Sequence, residues 1–252
     1  MKKAVVLYSG GLDSAVALFK CKNSREVYPL RIDTRSRQCH RESRATNLMM
    51  ANQGLSCIES DLSLPWLDEH PLYTPETLFY SLDSPIANWT DLNSSRLKVV
   101  ERSVLELYTN YIVPVRNLIF LSIATSYAAQ IGAEEVWVGF DYPVDNEVQA
   151  PPPDLETDFV KKYQNLITGL TTNKIRIVNA VEGLRKAEII TEGCSYNLPF
   201  ELTWSCYNDL PFACGVCPSC VRRQEAFKEC GLQDHLKYHT IEFILDWLHE
   251  EI

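Results

Sequence analysis

The sequence predicts an α/β fold: a parallel five-stranded sheet with helices on both faces, followed by a small cysteine-bearing helical region. Three observations predict it. Short β-branched runs alternate with helical patterns through most of the 252 residues, an alternation that builds parallel sheets. The first run, Val5-Val6-Leu7-Tyr8, feeds directly into Ser9-Gly10-Gly11-Leu12-Asp13-Ser14 and an apolar helix pattern of Ala15, Val16, Leu18 and Phe19. Four cysteines then cluster within fifteen residues near the C-terminal end.

The elements follow in order. Glu26 to Ile32 reads as the second strand, ending at Asp33. The polar segment from Thr34 to Glu42, with Arg35, Arg37, Gln38 and His40, follows a strand's C-terminal end, where ligands sit in open parallel sheets. It suits a nucleotide-facing loop and a solvated basic loop equally. A helix covers Arg41 to Gln53 and stops at Gly54, and Leu55 to Ser60 is a third strand. Residues 61–95 are broken by Pro65, Pro71, Pro75 and Pro85 and read as a lid, an oligomer contact or a packed loop. Leu97 to Tyr111 has a helical pattern. Pro114 precedes an apolar helix running to Gln130, with Arg116 and Asn117 at its N-terminal end, where N–H groups and a guanidinium converge on anions; an N-cap with a surface arginine fits the same residues. Glu135 to Gly139 is the fourth strand, ending in Phe140-Asp141. The stretch from Pro143 to Asp154 holds four prolines and reads as a loop over the site. A helix from Leu155 to Leu170, a fifth strand from Lys174 to Val178 and a helix opening at Leu184 complete the alternation. These divide the chain at 1–195 and 196–252. Ile241, Ile244, Leu245 and Leu248 mark a last amphipathic helix.

Composition bounds the function. A hydrophobic fraction of 46% supports a full core, and a formal net charge of −9 argues against broad electrostatic binding to nucleic acid. No apolar run is long enough to span a membrane. A removable signal at Met1-Lys2-Lys3-Ala4 would take the first strand with it, so the chain reads as cytoplasmic. Nine cysteines in a reducing compartment point to free thiols or metal.

The opening turn carries the chemistry. Adjacent glycines reach backbone conformations closed to other residues, so their amides can surround an anion. The helix behind adds free N–H groups and its positive dipole end. Ser9 and Ser14 offer hydroxyls to phosphate oxygens, and Asp13 fits beside phosphate when Mg²⁺ lies between them. A glycine turn with a serine cap is the plainer alternative. No lysine follows the glycines, so this is not the Gly-x-x-x-x-Gly-Lys-Ser/Thr loop. It resembles the PP-loop of ATP pyrophosphatases, which cut ATP between its α and β phosphates.

The cysteines Cys206, Cys214, Cys217 and Cys220 offer four soft ligands, with Gly215 and Pro218 helping the chain fold around a small ion. Zinc in a closed, structural four-thiolate shell is the simplest fit; an iron–sulfur cluster is the alternative. Cys21, Cys39, Cys57, Cys194 and Cys230 lie outside the pattern. A helix begins at Val221.

Together with Val113-Pro114-x-Arg116-Asn117-Leu118, Leu184-x-Lys186-Ala187-Glu188 and Thr203-Trp204-Ser205-Cys206…Cys220-x-x-Arg223, these motifs resemble the 7-cyano-7-deazaguanine synthase family across residues 1–230. The resemblance implies a Rossmann-like domain, a structural zinc and a homodimer. It implies that the carboxylate of 7-carboxy-7-deazaguanine is adenylated by ATP, that ammonia displaces AMP to give an amide, and that a second ATP converts the amide to a nitrile. On this chain Tyr8, Ser9, Gly10, Gly11, Leu12, Asp13, Ser14, Asp33, Arg116, Asn117, Gly139 and Lys186 would hold ATP. Asp13 would position Mg²⁺, Lys186 and Arg116 would stabilise transition-state charge, and the four cysteines would bind Zn²⁺.

The chain departs from the family at three places. Val115 stands where the family usually has glycine. The family's Asp-Tyr-Gly-Gln-Arg-His segment is altered here to Asp33-Thr34-Arg35-Ser36-Arg37-Gln38-Cys39-His40. The Ser-Gly-Tyr-Pro-Asp-Cys-Arg loop is replaced by Val144 to Asp154, of which Pro153-Asp154 alone aligns. A rewritten acceptor loop suits transfer to another amine, such as a protein's terminal amine, and relatives occur in antiphage gene clusters. A tRNA-modifying PP-loop enzyme and a catalytically dead nucleotide-binding scaffold are the remaining classes.

Overall fold

A computed structural model describes residues 1–70, 72–74, 112–141, 158–171 and 174–240. Five strands, β1 (Lys3–Leu7), β2 (Glu26–Asp33), β3 (Ile58–Asp61), β4 (Glu135–Val138) and β5 (Arg176–Asn179), form one sheet in the order β3-β2-β1-β4-β5. Every pairing is parallel, with Ala4 opposite both Val27 and Glu135. The chain reverses direction of travel at β1, so the crevice beyond β1 and β4 is the switch point where α/β sheets bind ligands.

Six helices flank the sheet among the described residues: α1 (Leu12–Lys22), α2 (Cys39–Gln53), α3 (Arg116–Ile131), α4 (Phe159–Ile167), α5 (Lys186–Ser195) and α6 (Pro218–Glu229). Side chains alternate across a strand, and β1 divides accordingly. Ala4, Val6 and Tyr8 pack with α1, Met49 and Met50 of α2, α5 and Phe227 of α6. Val5 and Leu7 pack with Leu121 and Ala124 of α3 and Tyr163 of α4. Both faces of β1 are therefore covered, as an apolar central strand in a parallel sheet requires.

The predicted layout stands, with shifted boundaries. Gly54 and Gly132 end α2 and α3 in the left-handed conformation, at φ 63° and 69°. Helix α2 starts at Cys39 rather than Arg41, β3 runs Ile58–Asp61 rather than from Leu55, and β5 reaches Asn179. Helix α5 starts at Lys186 rather than Leu184, because Arg185 is extended and caps it. Helix α6 starts at Pro218 rather than Val221, proline being suited to a first turn. Helix α4 stops at Ile167, where Thr168 turns extended. Within 61–74, Leu64, Leu67 and Leu72 are buried in the cluster that contains the four cysteines, so this part is a packed loop. The helix expected over 97–111, the loop over 143–154 and the helix through Ile241 and Leu248 lie outside the described residues.

Candidate active site

The turn after β1 is built by close approach. Gly10 has φ +84°, and a Cβ there would lie 2.6 Å from the Glu42 carbonyl oxygen. The turn is internally tied: the Ser9 amide donates to Ser14 Oγ at 3.2 Å, the Gly11 amide donates to Ser9 Oγ at 3.3 Å, and Ser14 Oγ donates to the Gly11 carbonyl at 3.0 Å. Gly139 has a different task. A Cβ there would sit 2.5 Å from the Asp13 carbonyl carbon and 2.8 Å from the Ser14 nitrogen. Its bare backbone lets the end of β4 press against the start of α1, which brings Asp141 beside Asp13.

Four charged side chains meet there. Lys186, the first residue of α5, places Nζ 2.6 and 2.7 Å from the two oxygens of Asp13 and 3.1 Å from Asp141 Oδ2. Arg222 of α6 reaches the same Oδ2 at 2.8 Å. Burial opposes the Lys186 ammonium, but Asp13 and Asp141 outweigh it and its pKa rises. Burial also opposes ionised Asp141, yet Lys186 and Arg222 hold its carboxyl below the usual range.

Of these, Asp13 and Lys186 line a cavity of about 310 Å³, and Asp141 and Arg222 lie off its wall. Ser9, Gly11, Asp13 and Ser14 form one wall, Thr34, Ser36, Gln38 and Glu42 a second, and Arg116, Asn117 and Phe120 a third. Tyr73, Trp204 and Tyr207 add aromatic surface. Three of its lining residues carry buried polar atoms, Tyr8 OH, Gln38 Oε1 and Arg116 Nε, that have no hydrogen-bond partner among the described residues. Burial pushes the Glu42 carboxyl up to about 7 despite Arg31 and Arg116 nearby. A larger, shallower depression of about 630 Å³ lies between α2 and the cysteine-bearing arm, but none of Ser9 to Ser14 lines it.

The structure thus gathers Tyr8, Ser9, Gly11, Leu12, Asp13, Ser14, Arg116, Asn117, Gly139 and Lys186 around one cavity. Gly10 supports the turn from behind. Asp33 is turned aside: its carboxylate accepts from the Arg35 amide at 2.8 Å and from Arg31 at 3.1 Å. In the following segment Thr34, Ser36 and Gln38 face the cavity, whereas Arg35 pairs with Asp61 at 2.6 Å and His40 is exposed. Gln38 and Glu42 belong to the segment read as a nucleotide-facing loop, whereas Asp141, Arg222, Trp204 and Tyr207 are not assigned a binding or catalytic role by the sequence. Asp141 carries a legible signal, an acid just past a strand's C-terminal end; Arg222 carries none.

The four candidate cysteine ligands converge as well. Their sulfurs lie within 4.8 Å of one another and all four residues are buried. Cys214 and Cys220 sulfurs are 3.9 Å apart, close to the roughly 3.8 Å edge of a tetrahedron with 2.3 Å zinc–sulfur bonds. Amides of Asn208, Cys214 and Cys217 donate to these sulfurs at 3.3 Å, orienting them as outer partners of a metal site do. The residues fit a four-thiolate metal. Arg223, fully buried, ties the knot to the domain. It bonds Asp234 at 2.7 Å, Thr203 Oγ1 at 2.8 Å and the Phe200 carbonyl at 2.9 Å. The same segment delivers the Trp204 amide to the Gly10 carbonyl at 2.8 Å.

Comparison with known proteins agrees. The family described as "Queuosine biosynthesis protein QueC" matches residues 3–231. A 7-cyano-7-deazaguanine synthase from Campylobacter fetus is 33% identical over 242 residues, covering 95% of this chain and 99% of that one. Its counterpart from Methanobrevibacter smithii is 32% identical over 238 residues, 94% and 98% of the two chains. That from Acetivibrio thermocellus is 34% identical over 244 residues, with the same coverage of 94% and 98%. A solved NMN synthetase from Francisella tularensis covers 99% of this chain and 84% of that one at 14% identity and a TM-score of 0.37, a likeness too loose to bear weight. With an opening glycine turn, a four-thiol knot and relatives aligned almost end to end, the chain belongs to the QueC, or 7-cyano-7-deazaguanine synthase, family.

Proposed function

We propose that this chain adenylates the carboxylate of 7-carboxy-7-deazaguanine with ATP and passes the activated acyl group to ammonia. One observation carries the reading: Asp13 and Lys186 pair at 2.6 Å beside the Ser9–Ser14 turn at the C-terminal end of β1, on the wall of a polar cavity. A carboxylate oxygen of the acid attacks the α-phosphorus, the bond to the bridging oxygen breaks, and pyrophosphate leaves. Amides of the Ser9–Ser14 turn and the α1 dipole hold the departing phosphates. Lys186 and Arg116 meet the charge that grows on them. Asp13 would hold Mg²⁺, which would supply further charge neutralisation there. Ammonia then adds to the acyl carbon and AMP leaves, giving the amide. Activation of the amide oxygen by a second ATP and loss of AMP leave the nitrile. No protein nucleophile takes part, because the substrate supplies its own oxygen. Cys206, Cys214, Cys217 and Cys220 would hold zinc as a structural brace.

The departure of Val144 to Asp154 from the family's loop favours a second reading, in which the same adenylate is captured by a different amine, such as a protein's terminal amine. Incubation with the acid, ATP and ammonium, followed by mass analysis, tests both. Nitrile supports the first reading. AMP release that requires an added protein, without nitrile, supports the second. Absence of pyrophosphate release under either condition overturns both.

A further inference from the structure

Two adjacent arginines on α6 do different work. Arg223 is sealed into the arm, as described above. Arg222 points the other way, to the end of β4, with Nη1 2.8 Å from Asp141 Oδ2 and Nη2 3.3 Å from Asp141 Oδ1. Lys186 lies 3.1 Å from that same Oδ2 and 2.6 Å from Asp13. The side chains are mostly enclosed, at 8% exposure for Asp141, 16% for Lys186, 24% for Asp13 and 27% for Arg222. The row Asp13, Lys186, Asp141, Arg222 alternates in sign and sums to zero.

The row sets a condition on catalysis. Lys186 must loosen its hold on the carboxylates to reach phosphate. On the proposed reading Asp13 would be compensated by the Mg²⁺ that accompanies the nucleotide. Asp141 lies off the cavity wall, and an enclosed carboxylate stripped of its partner opposes the move. A second cation that stays behind removes that opposition. We propose that Arg222 is a positioning residue that keeps Asp141 neutralised so that Lys186 can turn to the phosphates of ATP. The inference rests on the reading that the Ser9–Ser14 turn binds those phosphates. It makes the metal-bearing arm a contributor to the site's charge as well as to its shape.

The test is a double-mutant cycle on affinity for Mg²⁺ and α,β-methylene-ATP, measured by calorimetry, with zinc per chain and melting midpoint recorded for each variant. Arg222→Gln weakens binding by at least about tenfold, within the range of coupling in a shared ion network. Arg222→Lys keeps the charge and stays within about threefold of the parent, and Asp141→Asn binds at least as tightly as the parent. Once Asp141 is neutral, the Arg222 charge is no longer needed to hold that carboxylate, so the double variant Asp141→Asn/Arg222→Gln matches Asp141→Asn to within about threefold. If Arg222→Gln alone loses its zinc or its fold, the double variant and Arg222→Lys decide. A double variant as weak as Arg222→Gln overturns the inference, because the guanidinium would then act on phosphate directly; so does Arg222→Gln binding like the parent. A parent that binds the analogue but releases no pyrophosphate with 7-carboxy-7-deazaguanine overturns the proposed substrate and leaves this cycle readable. A parent that does not bind the analogue overturns both.

Discussion

The sheet carries an ion cluster at each end, and the two are built to opposite plans. At the N-terminal edge Glu135 is closed on every side. One oxygen accepts from Arg25 Nη2 at 3.0 Å and Arg176 Nη2 at 2.6 Å, the other from Arg25 Nε at 2.9 Å and Trp137 Nε1 at 2.7 Å. Burial opposes the charge, but these donors outweigh it and pull the carboxyl down to about 2. At the C-terminal edge two acids and two cations balance, and one ammonium is divided between Asp13 and Asp141. The first arrangement saturates a carboxylate and fastens three strand ends. The second leaves its lysine on a cavity wall, able to exchange partners. Stability and chemistry thus draw on the same residue types and differ in how fully each acceptor is satisfied.

Breaking the arm should have the largest effect. Cys214→Ser, or a chelator strong enough to strip the four-thiolate metal, lowers stability by on the order of 5 kcal/mol, read as a fall in melting midpoint together with loss of zinc by mass spectrometry. Lys186→Met strikes the exchangeable cluster, and pyrophosphate release falls by about 100- to 1,000-fold with the circular dichroism spectrum preserved. Glu135→Gln strikes the saturated one. Stability falls by roughly 2–3 kcal/mol at neutral pH while turnover per folded molecule holds. The sign follows from a depressed pKa: this stabilisation is complete above the ordinary carboxylate range and is lost as pH falls toward about 2. Denaturant midpoints at several pH values, with the two variants compared, would erase the contrast if Lys186→Met and Glu135→Gln lost stability alike.

Glu42 sharpens the comparison from the other direction, since its pKa is pushed up to about 7 by burial. A raised carboxyl destabilises the fold above its ordinary pKa, with the full penalty present above pH 7. Glu42→Gln therefore raises stability by roughly 2 kcal/mol at pH 8 and adds nothing at pH 4, as denaturant titration at the two pH values would register. The smallest effect belongs to Val115, which caps α3 at φ 61°, a conformation costly for a β-branched residue. Val115→Gly relieves that strain but loosens the unfolded chain, for a net gain of about 1 kcal/mol, visible as a higher melting midpoint.

What could be read from the residues was local. Ser9 to Ser14 is strand, turn and helix start in one uninterrupted stretch, and the cysteine spacing closes on itself within a few turns. The stop at Gly54 is equally self-contained. What escaped depended on distance along the chain. Asp141 and Arg222 meet across 81 positions, and nothing near either residue announces the other. Asp33 looked like a nucleotide contact because it ends a strand, yet Arg31 and Arg35, both within two residues, claim its carboxylate. The starts of α5 and α6 shifted because a single extended residue, Arg185 or Cys217, sets each one.

The bond from the Trp204 amide to the Gly10 carbonyl, 2.8 Å long, is made entirely by main chain. Exchanging the Trp204 side chain leaves it in place, so alanine there would pass over it in silence, whereas Trp204→Pro deletes the donor. It also bears on how the gene can be cut. A fragment ending before residue 200 would retain all five strands of the sheet, yet the mouth of its opening turn would be missing a lip.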